Sequence, residues 1–314
     1  MAAAETGDDV YGEDPTVTQL EKLAVSLTGK EAALFVTSGT QGNLLALLSH
    51  CERGDEYIAG NDAHTYRFEA GGGAVLGGIQ PQPIPFNERG ELEIEVIRQA
   101  IKPDDYHFAK TKLVCLENTT NGKVLALDYL SEFSNFALSK GLGRHLDGAR
   151  VFNASVKLGV DVKEISQYFD SMSICLSKGL AAPVGSLLVG SNELVSKARR
   201  WRKMVGGGMR QAGILAAAGI YALEHNIKRL ADDHRHASEL AKALGELSSF
   251  KLQSMPVTNM VLLDLEPKRY QSLQQYLADN GVKTSSQRWV MHRDVSSADI
   301  DQLIALCRNF DQRI

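Results

Sequence analysis

With 314 residues, 44% of them hydrophobic, the chain can bury a substantial core in one large domain plus a smaller one, and no low-complexity or disordered class fits. Its 34 basic and 38 acidic residues give a formal charge of −4 with no basic stripe interleaved with aromatics, which argues against nucleic-acid binding. No apolar run approaches the roughly 18 residues of a membrane-spanning helix, and the N-terminus lacks a secretory signal's basic and apolar regions, so the expected location is the cytoplasm.

In chain order, Asp14-Pro15 reads as the N-cap and first residue of a helix, with Leu20, Leu23, Ala24 and Leu27 at helical spacing until Gly29. Residues 33–37 read as a buried strand, Ser38-Gly39-Thr40 as a turn and 42–50 as a helix. Further strands are predicted at 56–59, 80–84, 112–116, 144–146, 171–176 and 184–189, with helices at 92–101 and 128–140. Apolar strands alternating with amphipathic helices predict an α/β fold, a mostly parallel sheet sandwiched by helices. Helices at 193–204, 212–224 and 227–247 follow. Then come strands at 259–265 and near Val282 and helices at 267–278 and 297–310, the pattern of a small α+β C-terminal domain. The expected domains are 1–228 and 229–314. Cys51, Cys115, Cys175 and Cys307 show no CxxC spacing and read as buried free thiols, and no metal site is expected.

Two segments carry most of the chemistry, His145-Leu146-Asp147-Gly148-Ala149-Arg150 and Ser173-Ile174-Cys175-Leu176-Ser177-Lys178-Gly179-Leu180. A lysine leaving the C-terminal end of a buried strand stands where open α/β sheets place ligands, and the small residues after Lys178 let a planar cofactor approach. Lys178 and Asp147 together supply what pyridoxal 5'-phosphate (PLP) needs. The amine can hold the aldehyde as a Schiff base, and the carboxylate can pair with the pyridinium nitrogen. Taken alone, Asp147 reads equally well as an N-cap for residues 148–156. Arg150 could bind an amino-acid carboxylate bidentately. Backbone N–H groups and the hydroxyl of Ser38-Gly39-Thr40 can meet a phosphate. His64 could stack on a flat cofactor or exchange a proton near neutral pH, although a lone loop histidine, His107 included, is more often solvated. Lys203 and Arg210, flanking Gly206-Gly207-Gly208, are either helix-end charge with a glycine stop or cations for a phosphate.

These motifs join into a larger pattern. The run Gly7-Asp8-Asp9-Val10-Tyr11-Gly12-Glu13-Asp14-Pro15-Thr16-Val17, with Ser38-Gly39-Thr40-Gln41-Gly42-Asn43, Asp62-Ala63-His64, Glu69-Ala70-Gly71-Gly72, the Asp147 and Lys178 segments and Gly206-Gly207-Gly208-Met209-Arg210-Gln211, resembles the low-specificity L-threonine aldolases in order and spacing. These are PLP enzymes of the aspartate-aminotransferase fold class within the β-eliminating lyase superfamily. The resemblance covers nearly the whole chain. It implies retro-aldol cleavage of L-threonine and L-allo-threonine to glycine and acetaldehyde by a homotetramer with active sites at subunit interfaces. Lys178 would be the Schiff-base lysine and Asp147 the pyridinium partner, with Gly39 and Thr40 on the phosphate. His64 would stack on the ring, and it or a water it positions is the candidate base. Arg150 and Arg288 would grip the substrate carboxylate, and His107 would be a second histidine near the side-chain hydroxyl. Lys203 and Arg210 look like phosphate contacts from a neighbouring subunit, with Tyr11 at the substrate side of that interface. The alternatives are another PLP-dependent β-hydroxy-amino-acid lyase and an inactive paralogue that keeps the fold.

Three departures from the family pattern stand out. The family usually begins with a segment resembling Asp-Leu-Arg-Ser-Asp-Thr-Val-Thr, whose serine joins the carboxylate site, whereas this sequence starts just before Gly7. Thr120 stands where histidine is usual. Gly141-Leu142-Gly143-Arg144 feeds Asp147 where an apolar strand is normal, and a buried arginine there needs a partner.

Overall fold

A computed structural model describes residues 1–313, which form two compact units: Met1–Thr120 with Val124–Ile227, and Asn121–Lys123 with the chain from Lys228 onward. The first unit opens with a single 3-10 turn at Asp9–Tyr11, then α1 (Pro15–Thr28), β1 (Ala32–Val36), α2 (Gly39–His50) and β2 (Asp55–Gly60). Next come α3 (His64–Arg67), α4 (Gly72–Gly77), β3 (Gln80–Ile84), α5 (Ile94–Ala100) and β4 (Lys110–Glu117). Then follow α6 (Leu127–Ser139), β5 (Gly143–Asp147), α7 (Val151–Leu158), α8 (Val162–Ser166), β6 (Ser171–Cys175), β7 (Ser186–Gly190), α9 (Asn192–Met204) and α10 (Gly213–His225).

Local chemistry sets these boundaries. The Asp14 carboxylate accepts the Thr16 and Val17 N–H groups, both at 3.0 Å, Pro15 takes the first helical position, and Gly29 closes α1 at φ +69°. The Ser38 hydroxyl accepts the Gln41 N–H, so α2 begins at Gly39, three residues earlier than its apolar pattern predicts.

The seven strands are ordered β1-β7-β6-β5-β4-β2-β3. The neighbouring pairs from β3 through β6 are all parallel, and β7 runs antiparallel to both β6 and β1. This is the mostly parallel helix-covered sheet predicted from the sequence. Helix α2 is buried on two flanks. Leu45 and Ala46 pack with Leu34, Leu188 and Ala198, while Leu44, Leu47 and Leu48 pack with Tyr57, Ile79 and Leu113. Each such leucine contributes on the order of 1.5–3 kcal/mol of burial free energy.

The second unit comprises α11 (Leu230–Gly245), β8 (Met260–Leu262), α12 (Pro267–Asp279), β9 (Arg288–Val290) and α13 (Ser297–Asp311), with β8 antiparallel to β9. Leu240, Leu244, Val261, Leu273, Leu277, Trp289 and Ile300 fill its core. No strand forms near Val282. Gly281 turns at φ +82° and the Val282 N–H bonds Leu277 O at 2.8 Å, so this apolar residue closes α12.

All four cysteines are free and buried. Among the described residues no helix is long and apolar enough to cross a membrane. Arg144 finds its partners within β5's surroundings: Asp170 takes its backbone N–H, Nε and a terminal nitrogen, and Ser134 Oγ accepts another N–H at 2.6 Å.

Candidate active site

The site begins with strand register. Glu117, Asp147 and Ser173 lie side by side on β4, β5 and β6, and Cys115, His145 and Ser171 form the row behind them. Successive strand residues alternate faces, so both rows occupy one face, and α2 lies over it through Asn43 and His50. Where a parallel sheet is ordinarily apolar on both faces, this patch is polar and buried.

Asp147, 3% exposed, stands at the C-terminal end of β5. Its carboxylate accepts Asn43 Nδ2 at 2.8 Å and the Ala149 N–H at 3.0 Å. It does not cap the following helix, because α7 starts at Val151 with Arg150 in the N-cap position. Lys178, half-buried, lies in the turn just after β6, where its charge acts on His64, Glu117 and Cys175.

His64 opens α3. Its backbone N–H donates to Glu117 Oε2 at 2.8 Å, and Nδ1 bonds Glu69 Oε1 at 2.8 Å. Asn43 Nδ2 also donates to Glu69 Oε1 at 2.8 Å. His64, Glu69 and Asp147 thus bring one polar atom each within 4.8 Å of one another. The hydrogen bond to Glu69 raises the His64 pKa, against the opposing pull of burial. Burial raises that of Glu69, with the His64 bond working the other way. Both groups are thus held above their ordinary values. Glu117 is pushed up to about 7 by burial and then by the Asp147 charge.

The N-terminus of α2 closes one side. Gly39 sits so near β6 that a Cβ there would stand 2.6 Å from Cys175 Sγ. The Gly206-Gly207-Gly208 loop presses on the same turn, since a Cβ at Gly207 would stand 2.1 Å from Gln41 Nε2, and Lys203 lies over Gly208. Thr40 and Lys203 are both exposed there.

Other expected site residues stand apart. Arg210 bonds the Asp8 carboxylate, and its guanidinium lies 5.7 Å from the ring of Tyr11, itself 72% exposed. His107 is exposed, with Nδ1 2.6 Å from Asp105 Oδ1. It precedes Lys110, so the roughly 23 Å run of β4 separates it from Glu117, and one chain does not bring it to His64. Arg288 is an exposed residue of β9 in the second unit. Thr120 spends its hydroxyl on Glu117 O at 2.9 Å. Sequence reasoning gave no role to Asn43, Glu69, Glu117 or His145. The signal available was the period-two placement of polar residues, His145 with Asp147 and Ser171 with Ser173, on one face of neighbouring strands.

The donor set fits PLP. Asp147 is a buried carboxylate whose hydrogen bonds come from the neutral amides of Asn43 and Ala149, so a protonated ring nitrogen is the complementary cation. Lys178 supplies the primary amine, and the turn opening α2 offers main-chain N–H groups for a phosphate.

Comparison with known proteins identifies the family. The family model described as beta-eliminating lyase matches residues 1–267. The low-specificity L-threonine aldolase of Escherichia coli K12 is 52% identical over 313 residues, covering 99% of this chain and 93% of the relative. A probable low-specificity L-threonine aldolase 2 of Arabidopsis thaliana is 45% identical, covering 97% and 90%. Among solved structures, the Leishmania major threonine aldolase superposes with a TM-score of 0.82 at 21% identity, over 98% of this chain and 92% of the other. A putative L-allo-threonine aldolase of Listeria monocytogenes gives 0.80 at 20% identity, over 98% and 90%. The two structures establish the shared fold. The chain belongs to the β-eliminating lyase family and, within it, to the low-specificity L-threonine aldolases, which are PLP-dependent lyases.

Proposed function

We propose that the chain cleaves L-threonine and L-allo-threonine to glycine and acetaldehyde, with Lys178, Asp147 and the His64–Glu69 pair as its working groups. The observation that carries this assignment is the convergence of a buried, amide-solvated Asp147 carboxylate, the Lys178 amine and a carboxylate-bonded histidine at the C-terminal ends of β4, β5 and β6. Bound PLP supplies the sink for the electron pair left at Cα when the Cα–Cβ bond breaks.

The chain's own residues do the rest. Lys178 Nζ would hold the cofactor through its aldehyde carbon. The Asp147 carboxylate holds the proton of the ring nitrogen. Gly39 and Thr40 take the phosphate on main-chain N–H groups and a hydroxyl. Packing of the glycine loop on Gln41 supports Lys203 as a cation for that same phosphate, and Arg210, turned to Asp8 and Tyr11, is left for a neighbouring subunit. Arg150 grips the substrate carboxylate and so fixes the bond that breaks. His64 Nε2, the nitrogen not engaged by Glu69, takes the β-hydroxyl proton, and the Glu69 carboxylate stabilises the imidazolium that forms.

Assembly as a homotetramer is part of this reading. Exposed Val75, Leu76 and Met204 support it as apolar surface available for burial. His107 enters only through a second copy, and Tyr11 serves the substrate side of such an interface. Four unpaired thiols support a cytoplasmic location. Purified chain saturated with PLP is expected to release acetaldehyde from L-threonine, and Lys178→Ala is expected to lose that release. Equal release from parent and variant would overturn the assignment.

A further inference from the structure

We propose that Asn43 is a positioning residue whose single amide ties Asp147 to Glu69, so that the ring-nitrogen partner and the carboxylate behind His64 are set together. This rests on the roles assigned to Asp147 and His64 above. Asn43 is 1% exposed and uses its full hydrogen-bonding capacity. Its Nδ2 lies 2.8 Å from both Asp147 Oδ2 and Glu69 Oε1. An ionised carboxylate only accepts, so the amide nitrogen must face the two acids. The amide oxygen then faces Ser173 Oγ at 2.7 Å and His145 Nε2 at 3.1 Å, and both must donate to it.

The orientation propagates. Burial, then the neighbouring His50, pushes His145 down to about 3, so its ring is neutral. With Nε2–H committed to Asn43, His145 Nδ1 accepts, and the Ser171 hydroxyl 2.8 Å away donates to it. Ser171 Oγ in turn accepts from His50 Nε2 at 2.8 Å, and burial holds His50 at about 4, also neutral. Every donor from His50 through Ser171 and His145 to Asn43 therefore points toward the two carboxylates. In a buried, low-dielectric setting such a chain is polarised along its length. The ionisable groups facing the acids are Tyr57 on β2, Cys115 and Glu117 on β4, His145 on β5, and Cys175 and Lys178 at the end of β6. The variants below leave all of them in place, so a shift reports the amide.

The test reads each acid separately in Asn43→Ala and Ser173→Ala. In the holoprotein, the 15N chemical shift of the ring nitrogen of labelled PLP is expected to move toward the unprotonated value in Asn43→Ala, because Asp147 becomes the stronger base. In the apoprotein, the NMR titration midpoint of the His64 ring, assigned with His64→Asn, is expected to rise by on the order of one pH unit as Glu69 loses a donor. Ser173→Ala keeps the amide nitrogen and loosens its lock, so both readings are expected to move the same way by less. It also stands in if Asn43→Ala does not fold. A folded Asn43→Ala whose His64 midpoint matches the parent overturns the coupling. If Asp147→Asn leaves the ring-nitrogen shift of the parent unchanged, the assignment of Asp147 fails, and the apoprotein titration still decides the Asn43–Glu69 arm.

Discussion

At the scale of residues, His64 is tuned by two opposed forces, and pH dependence separates them. Glu69 raises its pKa by hydrogen bonding and charge, while burial lowers it. A base must be unprotonated to act, so kcat/KM for threonine cleavage is expected to fall on the acid side with a midpoint above the ordinary 6.5 of histidine. Replacing Glu69 with glutamine removes the attraction and leaves burial, so the midpoint is expected to move down. Glu117, pushed up to about 7, titrates in the same range. Glu117→Gln is therefore the control, expected to leave the acid limb where it is. His64→Asn is expected to cost about 10²-fold or more in kcat. An acid limb that follows Glu117 and ignores Glu69 would transfer the titrating role to Glu117.

At the scale of elements, α2 connects the phosphate end, through Gly39, to the acids, through Asn43, and its placement leaves no spare room. A Cβ at Gly39 would stand 2.6 Å from Cys175 Sγ. Gly39→Ala is expected to destabilise by about 1–3 kcal/mol and to weaken PLP binding by displacing the turn. Cys175→Ala in the same chain removes the obstructing sulfur and is expected to restore both, as read by unfolding midpoints and PLP titration. Failure of the rescue would mean that the backbone at Gly39, and not this contact, sets the requirement. Helices such as α1 were legible in the sequence because their caps are local: Asp14-Pro15 starts it and Gly29 ends it. The strand end before Lys178 was legible for a similar reason, a largely apolar run that stops at a charge. The four-residue α3 and six-residue α4 carry no repeat from which to read them. Glu69 and Glu117 become meaningful only when α3 and β4 meet. The strand expected near Val282 failed because an apolar residue after glycine fits a helix-closing turn as well as a strand.

At the scale of the large unit, the opening stretch is fastened across the sequence by acids that meet late elements. The Asp9 N–H donates to Arg210 O at 3.0 Å, and its carboxylate pairs with Arg202 at 2.9 Å. Arg202 also donates to Phe35 O at 2.7 Å, and both charged side chains are 4% exposed. Asp14 accepts the Gly213 N–H at 2.8 Å and the Gly7 N–H at 3.2 Å. These contacts fix the end of α9, which carries Lys203, and the loop before α10, which carries Arg210, so the phosphate end depends on residues near the start of the chain. Asp9→Ala would leave Arg202 charged and buried without its carboxylate, a loss expected to cost about 3–5 kcal/mol in denaturant unfolding. Asp8→Ala removes the partner of an exposed arginine whose charge water already screens, and its effect is expected to be much smaller. The double change Asp9→Leu with Arg202→Met removes both charges and is expected to recover most of the loss, because the cost lies in the unpaired ion. An Asp9→Ala chain as stable as Asp8→Ala would show that water reaches Arg202, and the fastening would then have to come from Asp14 alone.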